Sequence, residues 1–183
     1  QIVEKGDVDY LVFDYLSEVT MSILAGAKLK NSEDGYAKDF INHIVPLLRK
    51  IKQKKIKVIS NAGGVNLDAC KKALIDEAEQ KNINLKIATV IGDDLIGCQD
   101  MLSKMNVKEI DSEKSLPKNL LSINVYLGAN PIKRALDLGA DIVLTGRCVD
   151  SALALGPLMH EFKWRTSELD LLASGSLVGH IIE

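Results

Sequence analysis

Gly139-Ala140-Asp141-Ile142-Val143-Leu144-Thr145-Gly146-Arg147 is the stretch that decides the fold of this chain. Its run at 141–145 predicts a β-strand, because it is short, rich in β-branched residues and bounded by glycine. The segment before it predicts a helix, with Asn130 as the cap, Pro131 as the first helical residue and Gly139 at the C-terminal end. A helix that leads directly into an apolar strand is typical of an α/β protein.

Further apolar runs at 9–13, 56–60 and 85–90 predict three more strands, and the run at 122–126 predicts a weaker fifth. Longer amphipathic stretches separate these runs, which favours β-α units and a mostly parallel sheet flanked by helices. We therefore expect a Rossmann-like α/β sandwich with an open sheet of five or six strands. The alternative is a partial β/α barrel, because polar residues follow every predicted strand, as they do in barrels.

The helices carry recognisable signals of their own. The first long amphipathic stretch places four apolar residues on one face: Phe40, Ile44, Leu48 and Ile51. Pro46 lies within this stretch and should kink or split the helix. Asn66 is a candidate cap for the next helix, and Gly156-Pro157 should break the segment that follows Asp150.

Size and composition point to a single globular domain. The chain has 183 residues, of which 46 % are hydrophobic and 26 % charged, enough to build a core and ordinary for a folded protein. We interpret 1–183 as one α/β domain and a fragment of a larger protein, since it begins at Gln1 and stops at Glu183 without a tail. The polar segment at 104–120 is predicted to be a surface insertion.

Several functional classes are disfavoured. A net charge of −2 and an aromatic content of 4 % give no basis for nucleic-acid binding. No apolar run approaches the roughly 20 residues that span a bilayer, so we expect no membrane association. The residues at 1–5 lack the features of a signal peptide. Three widely spaced cysteines indicate reduced thiols and a cytoplasmic location, or an organellar matrix.

A candidate site lies where the predicted strands end. In parallel α/β proteins, ligands bind at the carboxyl ends of the strands, and the residues there are polar in this chain. The loop Asn61-Ala62-Gly63-Gly64 leads into a helix, so its backbone can approach an anion; the alternative is a tight turn without a ligand. Asn61, Gly63 and Gly64 are candidate substrate-binding residues, together with Asn124 and Gly128 near the end of the fifth strand.

Charged residues at the same ends are the other candidates. Asp93 and Asp94 form a carboxylate pair that could transfer protons or hold a divalent metal, as could Glu18, although aspartate also caps helices. Arg147 suits bidentate recognition of a carboxylate or phosphate, with Asp150 beside it. The alternative for Arg147 is a structural ion pair with Asp150 or Asp93. No spacing of cysteines and histidines predicts a metal site.

Several of these blocks, in this order, resemble the acyclic terpene utilisation AtuA-like family. The similarity lies in the residues at 6–13, 60–66, 92–94, 126–129, 139–147, 150–153 and 179–183, and above all in Gly139 to Arg147. The resemblance implies a role in the breakdown of acyclic terpenes such as citronellol and geraniol through coenzyme-A thioesters. It also implies an association with a biotin-dependent acyl-CoA carboxylase. No catalytic residue of the family carries over.

The functional expectation combines both arguments. We expect an enzyme or enzyme subunit that acts on an anionic small molecule, an acyl-CoA or a branched carboxylate, and that forms homo-oligomers. Arg147 and the glycine loop would hold the anionic part, and Asp93, Asp94 or Glu18 would handle protons or a metal. The alternative is a non-catalytic acyl-CoA-binding or scaffolding subunit, which would need no acid-base pair.

Overall fold

The computed structural model describes residues 2–182, so that Gln1 and Glu183, the last residue of the family-like block at 179–183, lie outside it. The helices are α1 (Ile2–Lys5), α2 (Glu18–Lys30), α3 (Lys38–Ile44), α4 (Leu48–Lys54), α5 (Leu67–Gln80), α6 (Gln99–Lys104), α7 (Ala129–Asp137), α8 (Ala152–Glu161) and α9 (Leu169–Ile182). The strands are β1 (Tyr10–Phe13), β2 (Lys57–Ser60), β3 (Ile87–Val90) and β4 (Ile142–Thr145), and short 3₁₀ turns occupy Val45–Leu47 and Ile96–Cys98.

The strands form one parallel sheet in the order β1-β2-β4-β3. The predicted α/β sandwich is therefore confirmed, and the barrel alternative is wrong, because β1 and β3 are the edges of an open sheet. The sheet of the described residues has four strands, not the expected five or six. All four residues of β4 are buried, as its position between β2 and β3 requires. Complete burial of an isoleucine or leucine side chain stabilises a fold by about 1.5–3 kcal/mol.

Helices cover both faces of the sheet. On the first face α3, α4 and α5 pack against Val58, Ile142 and Leu144 of the two central strands. On the second face α7 and α8 pack against Ile59 and Val143 of the same strands. The alternation of side chains along each central strand thus divides the core into two layers.

The predictions for the amphipathic stretch at 40–51, a buried apolar face and a split at Pro46, are confirmed. Phe40, Ile44, Leu48 and Ile51 are fully buried, and the helix that contains them is split around Pro46 by the 3₁₀ turn. A proline removes one backbone donor and crowds the preceding turn, so the split has its expected cause.

The predicted fifth strand at 122–126 is wrong. Its backbone follows the β3–α6 loop instead of a strand: Leu95 N–H donates to Ile123 O (2.7 Å) and Val125 N–H donates to Asp93 O (2.8 Å). Asn124 forms a single bridge with Asp94. Short apolar runs favour a strand by composition, but this one lies across the loops at the end of the sheet rather than within it.

Two helix predictions also need correction. Gly128, not Asn130, precedes the first residue of α7, whereas Gly139 does end the helix with a φ of +84°, as expected of a C-terminal glycine. The predicted break at Gly156-Pro157 is absent, and α8 is continuous through Pro157. A Cβ on Gly156 would lie 2.6 Å from Ile132 Cγ2, so this glycine serves the close packing of α8 on α7.

Residues 105–120 contain no helix or strand and are mostly exposed, with one bridge between Lys108 and Ser115. The interpretation of residues 104–120 as an insertion, and of the whole chain as one domain of a larger protein, stays a prediction. None of the helices described between residues 2 and 182 combines the length and the apolar character needed to cross a bilayer.

Candidate functional site

The sheet has a crevice at the carboxyl ends of β2 and β4. These strands are neighbours, but the chain leaves β2 for α5 on the first face and leaves β4 for α8 on the second. Adjacent strands whose connections diverge in this way open the crevice in which α/β proteins commonly bind ligands. Gly63 N–H donates to Thr145 O (3.0 Å), which joins the two loops at this edge.

The glycine loop is closed by its own packing. Gly64 has a φ of +54°, and a Cβ on it would lie 2.6 Å from Gly35 O, while a Cβ on Gly63 would lie 2.6 Å from Thr145 O. The N–H groups of the residues at 63–66 all donate to backbone carbonyls. This agrees with the alternative interpretation of Gly63 and Gly64 as a tight turn, because the backbone N–H groups that would bind an anion already donate to carbonyl oxygens. Asn66 begins α5, but its side chain donates to Ser32 O and Asp34 O instead of capping the helix.

Asp93 is a buried carboxylate held by neutral donors. Its Oδ2 accepts hydrogen bonds from Asn124 Nδ2 (2.9 Å) and from Arg147 N–H (2.8 Å). A Cβ on Gly146 would lie 2.3 Å from the same oxygen, so only glycine at this position leaves room for the carboxylate. Asp93 and Asn124 therefore join the β3–α6 loop, the segment near 124 and the β4–α8 loop.

Asp94 differs from Asp93 in exposure and in the hydrogen-bond partner of its side chain. It is exposed, and its Oδ1 accepts a hydrogen bond from Ile96 N–H (2.9 Å). Between residues 2 and 182, no cluster of three or more histidine, cysteine, aspartate or glutamate side chains has the geometry of a metal site. The paired carboxylates of the sequence thus have separate partners.

Arg147 is the centre of the hydrogen-bond network at this edge. It is only 4 % exposed. Its Nη1 donates to Leu16 O (3.0 Å) and to Asp150 Oδ1 (2.8 Å), and its guanidinium carbon lies 4.2 Å from the centre of the Tyr126 ring. Burial lowers the pKa of Arg147, but its contacts with Tyr126 and Asp150 outweigh burial and raise the pKa overall, so the charge is permanent. The ion pair with Asp150 that we named as the structural alternative is present.

Glu18 is the solvent-exposed carboxylate that contacts Arg147 and Tyr126. Arg147 Nη2 donates to its Oε1 (3.4 Å), and the Tyr126 hydroxyl donates to the same oxygen. The hydrogen bond from Tyr126 lowers the pKa of Glu18, with a smaller contribution from Arg147. The Glu18 side chain is nevertheless 77 % exposed, so it can leave this position without opening the core.

Asp14 is a charged residue of this edge that the sequence did not single out. Asn61, which is fully buried, donates from Nδ2 to Asp14 Oδ1 (2.7 Å) and accepts from Tyr15 N–H (2.8 Å). Leu16 N–H donates to the same Asp14 oxygen (2.9 Å). Asn61 therefore acts on the β1–α2 loop and fixes the Asp14 carboxylate. Asp14 directly follows the last residue of β1, and this position is the sequence signal that could have identified it.

An apolar pocket of about 530 Å³ opens beside these carboxylates. It lies between β1, α8 and α9, and Asp14 and Asp150 are its charged lining residues. The apolar lining comes from Val12, Leu153, Ala154, Pro157, Leu158, Val178, Gly179 and Ile182. A third polar residue of the lining, Tyr10, donates its hydroxyl to Glu161 Oε1 (2.5 Å). The sequence did not predict this pocket, because residues of this type read as ordinary core residues of helices and strands.

The structure therefore brings together Glu18, Asn61, Arg147 and Asp150 around the β1–α2 and β4–α8 loops, and it joins Asp93 and Asn124 to them through the Arg147 backbone. Gly128 lies at the same edge, since the preceding residue, Leu127, donates its N–H to Arg147 O (3.3 Å). Thr145, Asn61, Asp93 and Gly128 thus share this edge of the sheet. Of the predicted site residues, Asp150 lines the apolar pocket, and the others lie at this edge outside its lining.

The cysteines do not belong to this chemistry. All three are free, and burial raises the pKa of the Cys148 thiol to about 11. At neutral pH this thiol is protonated, although Thr145 Oγ1 lies 3.6 Å from its sulfur.

Together, the fold and the pocket define an open-sheet α/β protein with a polar carboxyl edge and an adjoining apolar cavity. The family model described as "Acyclic terpene utilisation family protein AtuA" matches residues 1–183, and the chain belongs to this family. Membership implies involvement in acyclic terpene utilisation. Comparisons with curated proteins and with solved structures gave no match.

Proposed function

We propose that this chain binds a branched acyl compound of acyclic terpene breakdown, with its hydrocarbon chain in the pocket between β1, α8 and α9. The observation that carries the proposal is the pocket itself, whose volume of about 530 Å³ and mostly apolar lining suit a branched aliphatic chain. Small-molecule sites commonly have such volumes and a few polar groups at one end. Here those polar groups, Asp14 and Asp150, adjoin the carboxyl edge of the sheet.

The anionic head group, a carboxylate or the thioester end of an acyl-CoA, would bind Arg147. Arg147 pairs with Asp150, one of the residues that line the pocket. Its contact with Glu18 Oε1 is long (3.4 Å), and Glu18 is largely exposed. A substrate carboxylate can therefore replace the Glu18 carboxylate and satisfy the same guanidinium nitrogen.

An enzymatic role is part of this proposal, but Asp93 is a poor candidate for proton transfer. It is buried beneath Gly146 and bound by two neutral donors, which is the arrangement of a structural carboxylate. Asp14, Asp94 and Glu18 are accessible carboxylates at this edge. The structural role of Asp93 favours the second candidate function, a non-catalytic acyl-CoA-binding or scaffolding subunit, which needs no acid-base pair.

The wider context is likewise proposed. We place the protein in the cytoplasm or an organellar matrix, as a homo-oligomer that can associate with an acyl-CoA carboxylase. The free cysteines support a reducing compartment. Exposed apolar residues of α9, Leu177, Val178, Ile181 and Ile182, support self-association, which sedimentation velocity tests directly.

Calorimetric titration with citronellic acid and its coenzyme-A thioester tests the binding proposal. Ala154→Leu fills the pocket and should weaken binding at least about tenfold, equivalent to roughly 1.4 kcal/mol. Ala78→Leu is the matched control, since Ala78 is also a buried helical alanine and lines a separate pocket of about 530 Å³ between α5 and β3. Equal affinities of both variants and the unmodified chain would contradict the proposal.

A further inference from the structure

We infer that Asp14 accepts a hydrogen bond from a hydroxyl group of the bound compound, so that the substrate class is a branched hydroxy acid or its thioester. This inference rests on the proposed function, because it assigns a second polar contact to the same pocket. It separates two roles at the pocket mouth, with the acyl end at Arg147 and the hydroxyl at Asp14.

The Asp14 carboxylate is held in a fixed orientation. A fully buried amide, Asn61 Nδ2, and a backbone donor, Leu16 N–H, both bind its Oδ1, at 2.7 and 2.9 Å. A buried asparagine that binds a carboxylate at the rim of a cavity sets the direction of the remaining oxygen lone pairs. Asn61 is therefore a positioning residue, and Asp14 is the group that contacts the ligand.

The charges around the pocket select the kind of ligand group. Among residues 2–182, the charged residues of the lining are Asp14 and Asp150, and both are acidic. Asp150 is compensated by Arg147 at 2.8 Å, whereas the donors bound to Asp14, Asn61 and Leu16, are neutral. A carboxylate of the ligand placed beside Asp14 would be repelled, and an alkyl group there would leave the carboxylate without water. A hydroxyl donates a hydrogen bond to a charged acceptor, which is among the stronger kinds of hydrogen bond.

The spacing of Asp14 and Arg147 points to neighbouring substituents on the ligand. Arg147 Nη1 donates to the carbonyl oxygen of Leu16 (3.0 Å), and the N–H of the same residue donates to Asp14 Oδ1 (2.9 Å). The guanidinium and the carboxylate are therefore separated by the backbone of one residue. A β-hydroxy acid carries its acceptor and its donor at a comparably short separation.

Citronellic acid and its β-hydroxy derivative form the test pair, with affinities measured by calorimetry for both free acids and both coenzyme-A thioesters. The unmodified protein should bind the β-hydroxy compound about tenfold more tightly, as expected for one hydrogen bond to a charged acceptor. Asp14→Asn keeps the shape and an acceptor for Asn61, and it should abolish this preference while citronellic acid still binds. Asp100→Asn, which changes an exposed aspartate in the first turn of α6, should keep it.

The outcomes separate the two proposals. If both acids bind equally well to the unmodified protein, or if the preference survives in Asp14→Asn, the hydroxyl contact is wrong and the pocket assignment stands. If neither acid nor thioester binds, the proposed function itself fails, and the hydroxyl contact fails with it. The comparison on the unmodified protein decides the matter even if Asp14→Asn does not fold, which its thermal melting curve reveals.

Discussion

Arg147 and Asp14 bind opposite ends of one residue: Arg147 Nη1 donates to the carbonyl of Leu16 (3.0 Å), and the N–H of Leu16 donates to Asp14 Oδ1 (2.9 Å). The β1–α2 loop is thus held by hydrogen bonds to an arginine of the β4–α8 loop and to a carboxylate of the β1–α2 loop itself. A change at Arg147 is expected to reach Asp14 through Leu16 and the pocket also through Asp150, although Arg147 itself is not part of the pocket lining.

Substitution of Arg147 should therefore affect both stability and binding. Arg147→Ala leaves Asp150 and the Leu16 carbonyl without their partner; the Asp150 side chain is 34 % exposed, so we expect a loss below the roughly 3–5 kcal/mol of a fully buried pair. Arg147→Lys keeps the charge but loses the planar fork, so we expect a smaller loss of stability together with weaker acid binding. Urea unfolding and calorimetry on both variants check this, with the exposed Arg134→Ala as control. Reduced stability with unchanged affinity would make Arg147 purely structural.

A pair of glycine-to-alanine substitutions separates packing from backbone entropy. A Cβ on Gly146 would lie 2.3 Å from Asp93 Oδ2, whereas a Cβ on Gly26, within α2, would meet nothing within 4 Å. Gly146→Ala should displace the Asp93 carboxylate and destabilise the protein by about 1–3 kcal/mol. Gly26→Ala should stabilise the protein by about 0.5–1 kcal/mol, since alanine lowers the backbone conformational entropy of the unfolded chain. Chemical denaturation of both variants measures the difference, and a change of the same sign in both would contradict the packing explanation.

Asp141 should contribute to acid unfolding. Burial raises its pKa, but hydrogen bonds from Lys52 Nζ (2.8 Å) and Lys86 N–H (2.9 Å), with Lys57 nearby, lower the pKa below 3.8 overall. A carboxylate whose pKa is lower in the folded state stabilises the fold above its unfolded pKa, and the contribution is lost as the pH falls through the folded value. Asp141→Asn should thus lower stability at pH 7 by roughly 1 kcal/mol, because the ion pairs are partly exposed.

Unfolding free energies measured between about pH 7 and pH 2 test this prediction. The unmodified chain should lose stability relative to Asp141→Asn as the acid end is approached, so that the two curves converge. Asp100→Asn, at an exposed aspartate at the start of α6, is the control for the removal of one carboxylate without loss of an ion pair to Lys52 or Lys57. Parallel curves for Asp141→Asn would remove Asp141 from the account of acid unfolding.

Local patterns predicted the central part of the fold, and long-range packing limited the rest. The run at 141–145 was recognised because β4 is buried on both faces and therefore uniformly apolar. The run at 122–126 is less uniformly apolar, with Ser122 and Asn124 in it, and it packs across loop ends outside the sheet. Pro157 shows the same limit, since α8 continues through a residue pair that usually ends a helix, and Gly156 of this pair lies close to Ile132 of α7.

The candidate site was predicted by position more than by role. Parallel strands place their carboxyl ends at one edge, so the sequence located Asn61, Asp93 and Arg147 together. Their partners depend on side-chain directions that a sequence does not give: Asp93 lies under Gly146, and Asn61 binds Asp14. The apolar pocket forms where α8 and α9 pack against β1, and β1 is far from these two helices in the sequence.

Glu18 provides the last test, because it occupies the position in which we place the substrate carboxylate. Its Oε1 accepts hydrogen bonds from Arg147 Nη2 (3.4 Å) and from the Tyr126 hydroxyl, and Tyr126 holds the pKa of Glu18 below its ordinary value, so the side chain is charged at neutral pH. Glu18→Gln removes the competing charge and should strengthen binding of citronellic acid severalfold. Its thermal stability should hardly change, because the side chain is 77 % exposed. Glu33→Gln, an exposed glutamate after α2, is the control for a general change of net charge. Weaker binding of the acid to Glu18→Gln would mean that Glu18 assists the ligand instead of competing with it, and the head group would then have to lie away from Arg147.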